Sequence, residues 1–519
     1  MIRRLEPATI GLVGAGALFA LLTLLVTGLE RQLRWDEVTY LAQVTPGQPD
    51  VWFGPQRARG MTVVLLPAAL LGASTTLVRS WLLLVHAVAL VVVFRPWVAV
   101  AGWTGTTAAL LTAVGWIPLY FAVEGYPNLL AGLAAVAAAG TTVRWLLEDD
   151  HRQLVLAGLA IAVVAWLRPT ESVWIAGALT PVALLGGRRW WRAIAAFAVG
   201  GFVGWLPWLI EAIVRFGGPF ARLDAARATS ASGADRNSVI QYLNLIEGPV
   251  RRVAEDPVLT AAGLALLLGA AGLILIGLVQ VDDRRRRLAA AVGLWSGAIM
   301  VLPYLLLNAG INLRYILPGL LLFTLPVAAG LVTLVVAVAR RREPVAAIAL
   351  VTILGAYIGW QLHLAATNAE QIAPLQARPV ALGQALSDVA DGRPCAFLSN
   401  VQWPEIQWHS GCLGEVLDPQ ADALQCHDAR RDLGLLAEEG FEVYVLERGE
   451  PPFSPAVADW PVTQLEEPED GVWRRYERPA DLGPDDPPSI PATATPKRPC
   501  LPSRAPDTSR ATLELRWSR

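Results

Sequence analysis

The chain has 519 residues, 54% of them hydrophobic and 17% charged, with a formal net charge of -2. A soluble domain carries roughly 25% charge, so this balance excludes an ordinary soluble fold. No basic stripe with interleaved aromatics points to a nucleic-acid partner, so none is expected, and the single lysine, Lys497, excludes any Gly-x-x-x-x-Gly-Lys nucleotide loop.

Met1-Ile-Arg-Arg runs directly into an apolar stretch from about Ala8 to Leu29. No small-residue cleavage site precedes the acids that follow, so a retained helix is expected, not a cleaved signal peptide. Further spans of about bilayer length are expected near 77–94, 104–122, 127–146, 154–170, 172–187, 193–213, 257–280, 288–308, 316–339 and 344–363, giving about eleven transmembrane helices. Met61–Leu71 is apolar but too short to span, and reads as an interfacial helix on the outer surface.

Arginine placement sets the expected orientation. Arg95, Arg144 and Arg152, the cluster Arg188, Arg189 and Arg192, Arg284 to Arg287, and Arg340 to Arg342 all fall in loops that are inner if the N-terminus is cytoplasmic. Asp282-Asp283 belongs to one of these inner anchors. Segments 30–76, 123–126, 214–256, 309–315 and 364–519 are then outside, in a multi-pass protein of the cell membrane. The 214–256 segment, opening Phe216-Gly-Gly-Pro219 and carrying Arg222, Asp224, Arg227, Asp235 and Arg236, is expected to be a mobile lid over an acceptor. Trp52, Trp116, Trp205 and Trp208 fall near predicted outer interfaces and read mostly as belt residues, a few of them candidates for stacking on sugar.

The expected organisation is a membrane domain over 1–365, a small extracytoplasmic α/β domain over 366–479, and a disordered Pro-rich tail over 480–519. Leu382–Ala390 reads as an amphipathic helix, Leu433–Glu439 as a second one, and Cys395–Ser399 and Phe441–Leu446 as buried strands. All four cysteines lie in this outer part, which suits an oxidising compartment. His409, Cys412, Cys426 and His427 match no standard zinc spacing. A disulfide is the stronger reading, Cys395 with Cys412 being the preferred pair, although sequence does not fix connectivity. No cofactor is expected, and nothing indicates a divalent metal.

The chemistry concentrates in Arg31-Gln-Leu-Arg-Trp-Asp-Glu-Val-Thr-Tyr40. Two adjacent carboxylates held at a membrane boundary are costly unless paired or used. Asp36 reads as a catalytic carboxylate, with Glu37 orienting it, binding the acceptor or raising its pKa. The alternative is that both acids cap a juxtamembrane helix and pair with Arg31 or Arg34. Arg57, Arg59 and Arg314 are candidate clamps for a phosphate. Arg314 ranks first because Asn312, Arg314 and Tyr315 gather at one helix start, although snorkelling would also explain it. Arg168-Pro-Thr-Glu171 is an intramembrane charge cluster that is either functional or a plain ion pair. Glu124-Gly-Tyr-Pro127 reads as an outer turn that could touch substrate or simply reverse the chain.

Three pieces carry a resemblance. Trp35-Asp36-Glu37-x-x-Tyr40, Gly72-Ala-Ser-Thr-Thr-Leu-Val-Arg79 and Arg314-Tyr315-x-x-Pro318 resemble motifs of the GT-C superfamily of membrane glycosyltransferases, which includes protein O-mannosyltransferases and lipid A aminoarabinose transferases. Where the latter carry Lys-Pro-Pro, this chain has Arg57-Ala-Arg59-Gly60. The resemblance implies a GT-C-like polytopic fold and inverting transfer of a sugar, mannose or a pentose, from a polyprenyl-phosphate donor to an extracytoplasmic glycan, lipid or protein. Together with the residue reading above, the expected roles are Asp36 as general base, Arg314, Arg59, Arg57 and Tyr315 on the donor phosphate, and Tyr40, Glu124, Arg168 and Glu171 on substrate. The rivals are a transporter or flippase of lipid-linked glycans, for which the sequence shows no internal repeat, and a non-catalytic envelope-assembly scaffold.

Overall fold

A computed structural model describes residues 6–49, 51–230, 238–246, 248, 256–281, 283–306, 312–399, 403–416, 440–448, 462–465 and 473–477. The first helices are α1 (Pro7–Val26), α2 (Trp35–Ala42), α3 (Gly60–Leu70), α4 (Thr75–Ala101), α5 (Trp103–Val114), α6 (Trp116–Phe121), α7 (Pro127–Glu148) and α8 (His151–Leu167). They are followed by α9 (Pro169–Leu184), α10 (Trp190–Phe216), α11 (Pro219–Ser230), α12 (Ser238–Ile246), α13 (Pro257–Val279), α14 (Arg284–Leu306), α15 (Leu313–Arg341) and α16 (Pro344–Ala390). The C-terminal part is β1 (Cys395–Ser399), α17 (Trp403–Ser410), β2 (Leu413–Val416), β3 (Glu442–Arg448), β4 (Val462–Leu465) and β5 (Trp473–Glu477).

Prolines and short polar side chains punctuate this series. Proline opens α1, α7, α9, α13 and α16, where its missing N–H costs nothing. Ser74, Asp150, Asp256 and Asn312 accept from first-turn amides of α4, α8, α13 and α15. Eight described helices, α1, α4, α7, α10, α13, α14, α15 and α16, are long and apolar enough to cross a bilayer. The expected count of eleven is therefore not reproduced. The run at 104–122 breaks at extended Gly115 into α5 and α6, while the spans expected at 154–170 and 172–187 are α8 and α9, which at 17 and 16 residues are shorter than those eight. Helix α3, with 11 residues, is too short to span, as expected of an interfacial segment.

Spans meet over small residues, as close helix packing in lipid requires. A Cβ on Gly200 of α10 would lie 2.0 Å from the carbonyl oxygen of Gly158 on α8, so only glycine allows this crossing. Helix α7 is the most enclosed span, and α13 and α16 are the least.

The segments expected outside converge on one end of the bundle. Asp36 meets Arg314, Glu37 meets Gly125, and Arg222 reaches the carbonyl of Arg57. Trp116 donates to the carbonyl of Ile246, Asn368 donates to that of Gly248, and Trp35 packs on Trp403. The 214–256 segment departs from the expected mobile lid in its described parts. Residues 219–230 and 238–246 are helical, and wholly buried Arg222 donates to the carbonyls of Pro55, Trp208 and Arg57 at 3.0, 2.9 and 2.8 Å.

The C-terminal strands form one mixed sheet in the order β2-β1-β3-β5-β4. Strand β1 is parallel to β2 and β3, while β5 is antiparallel to β3 and β4. The strands expected at 395–399 and 441–446 are β1 and β3. The helix expected from Leu382 is the end of α16, which runs unbroken through Pro374 and Pro379, so the expected boundary at 365/366 falls inside a 47-residue helix. Cys395 and Cys412 are disulfide-bonded, tying β1 to the segment just before β2. Cys426, His427, the helix expected at 433–439 and the tail at 480–519 lie outside the described residues.

Candidate active site

Helix α2 carries two neighbouring acids with different surroundings. Glu37, in its first turn, is fully buried. It accepts from the backbone N–H of Arg34 at 2.9 Å, from that of Gly125, and from both terminal nitrogens of Arg79 on α4. Arg79 is equally buried and also donates to the carbonyls of Arg31, Gln32 and Val123. Glu37 thus bolts α2 to α4 and to the α6–α7 turn, and its oxygens are occupied by protein.

Asp36 faces the other way. Its side chain is 21% exposed. Oδ1 accepts from Arg57 Nη2 at 2.7 Å and Nε at 3.3 Å, and Oδ2 accepts from Arg314 Nη1 at 2.8 Å. Burial pushes this carboxyl up, but the Arg314 and Arg57 guanidiniums outweigh that and hold it well below the usual carboxylate range. Two partly exposed arginines on one carboxylate leave an uncompensated positive charge at an accessible place. An anion is the natural complement.

The remaining candidates divide. Arg314 also lies over the Tyr126 ring at 4.2 Å and the Tyr315 ring at 5.4 Å. Tyr315 stacks on Tyr304 with centroids 5.5 Å apart, and the Arg168 guanidinium lies over the Tyr315 ring at 5.4 Å. Arg168 pairs with Glu171 and donates to the Tyr304 hydroxyl at 3.1 Å, which donates to Glu171 at 2.9 Å. Arg314, Tyr315, Arg168 and Glu171 therefore form one connected group beside Asp36. Tyr40 is buried edge-on to Phe53 at 5.9 Å, and burial pushes its hydroxyl up to about 12.

Arg59 does not reach Asp36. It donates to Glu211 on α10 at 2.7 and 3.1 Å and to Gln43 at 2.8 Å. Glu211 also carries Arg215 and Arg222, so this flanking cluster has three guanidiniums on one carboxylate. Glu124 is wholly buried and paired with Arg31 at 3.1 Å, and none of its described contacts is with Asp36. Trp116 and Trp208 are buried, not interfacial, because Trp116 bonds Ile246 and Trp208 packs under Arg222.

Four contributors are not evident in the sequence: Arg79 as the partner of Glu37, Glu211 as the hub of the flanking arginines, Tyr304 in the Arg168 group, and buried Glu405 on α17, the helix whose Trp403 packs on Trp35. Glu211, in a helix of apolar character, was the one visible clue, as an acid within a span. Among the described residues no group of three or more His, Cys, Asp or Glu could hold a metal ion.

No family model matches the sequence, and no curated protein does. Solved structures do match. ArnT from Cupriavidus metallidurans bound to undecaprenyl phosphate superposes with a TM-score of 0.62 at 14% identity, over 90% of this chain and 97% of that one. The Archaeoglobus fulgidus oligosaccharyltransferase in complex with Zn and sulfate gives 0.51 at 15% identity, over 84% and 68%. The arabinofuranosyltransferase AftD from Mycobacteria gives 0.54 at 16% identity, over 90% of this chain and 39% of that one. As to the Zn of the archaeal structure, both oxygens of Asp36 here face guanidiniums, a donor set that suits an anion and not a cation.

Proposed function

We propose that this chain, which has the fold of the GT-C membrane glycosyltransferases, is an integral-membrane glycosyltransferase that takes a sugar from a polyprenyl-phosphate carrier. The observation that carries this reading is the bonding of both oxygens of Asp36 to Arg57 and Arg314, 21 and 278 residues away. The binding of undecaprenyl phosphate by ArnT, at the coverage given above, supports the choice of donor.

In this reading the resting arginines neutralise Asp36. When a lipid-phosphate sugar enters, its phosphate competes for Arg57 and Arg314, with Arg59 and Tyr315 at the flanks. Asp36 then loses part of the field that depresses its proton affinity and becomes a better base. The acceptor hydroxyl attacks the anomeric carbon while its proton passes to Asp36. The bond from the anomeric carbon to the phosphate oxygen breaks, and the polyprenyl phosphate leaves with the bonding pair and an added negative charge. The guanidiniums stabilise that charge, as preorganised donors do in phosphate chemistry. Attack opposite the leaving group inverts the anomeric centre. Arg168, Glu171 and Tyr40 would contact sugar or acceptor. Glu37 and Glu124 hold α2 in place.

The acceptor is proposed as an extracytoplasmic glycan, lipid or protein, with the N-terminus cytoplasmic as the arginine loops imply. Incubating the protein in bilayers with radiolabelled undecaprenyl-phosphate mannose and arabinose, with a membrane extract as acceptor, tests the function. Labelled product is expected from one donor, and none from either donor rejects the reading.

A further inference from the structure

Arg57 sits in a segment without regular structure: residues 51–59 form neither helix nor strand. A loop holds a guanidinium in one place only if its backbone is fixed from elsewhere. One turn is closed from within, the Arg57 amide donating to the carbonyl of Gly54 at 3.1 Å. The other restraints come from the corner between α10 and α11. Helix α10 ends at Phe216, and Gly217 and Gly218 follow with φ of 80° and 145°, which glycine adopts without strain. The Gly218 amide donates to the carbonyl of Ala212 at 2.9 Å, and Pro219 opens α11. This turn brings Arg222, wholly buried, against the loop. Its guanidinium lies over the Trp208 ring at 4.5 Å and the Phe216 ring at 5.0 Å. Nε donates to the carbonyl of Pro55 at 3.0 Å, Nη2 to that of Arg57 at 2.8 Å, and Nη1 to that of Trp208 at 2.9 Å. Glu211 completes the clamp. Its Oε2 lies 2.9 Å from Arg222 Nη2, and its Oε1 accepts from Arg59 at 2.7 Å. Between the two arginines of the loop, Ala58 packs into a small core with Trp208, Ala212 and Leu223.

We propose that Arg222 is a positioning residue for Arg57: by holding the carbonyls of Pro55 and Arg57 against α10, it fixes where the Arg57 guanidinium meets Asp36 and the donor phosphate. The proposal rests on the reading of Arg57 as a ligand of that phosphate. Filling a buried corner would need only an apolar side chain, and burying a cation is costly. What arginine adds is a rigid fork that reaches several acceptors at once. Here the fork spans carbonyls on two separate stretches of chain, and one of them belongs to Arg57 itself, 165 residues away. The segment that opens with Phe216-Gly-Gly-Pro219, expected from sequence to be a lid over the acceptor, thus supports the donor side of the site.

The test is a double-mutant cycle in bilayers with wild type, Arg222→Met, Arg57→Ala and the variant carrying both. Two quantities are read: kcat/KM for the undecaprenyl-phosphate sugar, and affinity for undecaprenyl phosphate alone. Arg222→Met is expected to lower kcat/KM about tenfold or more and to weaken carrier binding. Added to Arg57→Ala, it is expected to cause no further loss in either quantity, because the guanidinium it places is already gone. A merely structural role would multiply the two losses, as independent sites do, and that result overturns the proposal. Wild-type carrier affinity in Arg222→Met overturns it as well. Where Arg222→Met does not fold, Arg222→Lys takes its place in the same cycle: it keeps the charge beside Glu211 but lacks the fork, and the same outcomes decide. Wild-type carrier affinity in Arg57→Ala alone rejects the donor reading of Arg57 instead, and with it any positioning role.

Discussion

Arg314 Nη1 lies 2.8 Å from Oδ2 of Asp36, joining the start of α15 to the start of α2 across 278 residues of sequence. Arg57 takes the other oxygen at 2.7 Å. A carboxylate and two cations are thus held together, and in the proposed function an incoming anion would share the cations.

If the proposed function holds, removing either cation separates phosphate binding from the state of Asp36. Arg314→Ala and Arg57→Ala are each expected to lower kcat/KM about a hundredfold and to weaken binding of undecaprenyl phosphate. Arg314→Lys should keep the charge but only part of the rate, since lysine lacks the planar fork. Carrier binding at wild-type strength in the double alanine variant would remove both arginines from the donor site.

Glu37 and Arg79 are fully buried and paired, so their effect should appear in stability. Breaking such a pair from one side costs roughly 3–5 kcal/mol. Glu37→Gln and Arg79→Met are therefore expected to lower the melting temperature in detergent clearly more than Asp36→Asn does. Equal melting temperatures for all three would show that the Glu37 network does not anchor α2.

Gly60 opens α3 where it crosses the end of α8, immediately before Arg168. A Cβ there would lie 2.5 Å from the carbonyl oxygen of Trp166, which is backbone and cannot yield. Gly60→Ala is expected to lower the melting temperature and also the rate, because α3 follows Arg57 and Arg59 directly. Unchanged thermal stability, read by a melting scan, would contradict the close approach.

Glu405 predicts a dependence on pH. Burial raises this carboxyl from 4.5 to about 8, so the folded protein keeps a proton that the unfolded chain releases. The associated stability is complete below about 4.5, is lost as pH rises through the window to about 8 by up to roughly 1.4 kcal/mol per pH unit, and then levels off. Glu405→Gln carries no such proton. Its melting temperature should therefore fall less than that of wild type between about pH 5 and pH 8. Parallel curves would place the Glu405 carboxyl in water.

Parts of this were legible in the chain and parts were not, for physical reasons. Adjacent acids after an apolar run marked Asp36, because a charge at a membrane edge needs a purpose. Arg314 stood out through its cluster with Asn312 and Tyr315. The division of labour between Asp36 and Glu37 was hidden, since it depends on which acid faces Arg79, a partner 42 residues away on another helix. Arg59 looked equivalent to Arg57 until Glu211 drew it aside. The boundary expected at 365/366 falls inside α16, which also runs through Pro374 and Pro379. Helix α17 was missed because Trp403-Pro-Glu-Ile-Gln-Trp-His-Ser410 is too short to show a period, and its meeting with α2 exists only in the fold.

The most direct measurement is single-turnover release of polyprenyl phosphate from its labelled sugar conjugate by wild type and by Asp36→Asn, matched for folding and for carrier affinity. The account predicts that Asp36→Asn binds the carrier at least as well as wild type, because Arg57 and Arg314 are freed, while transfer falls by about three orders of magnitude. Transfer by Asp36→Asn at the wild-type rate would contradict it.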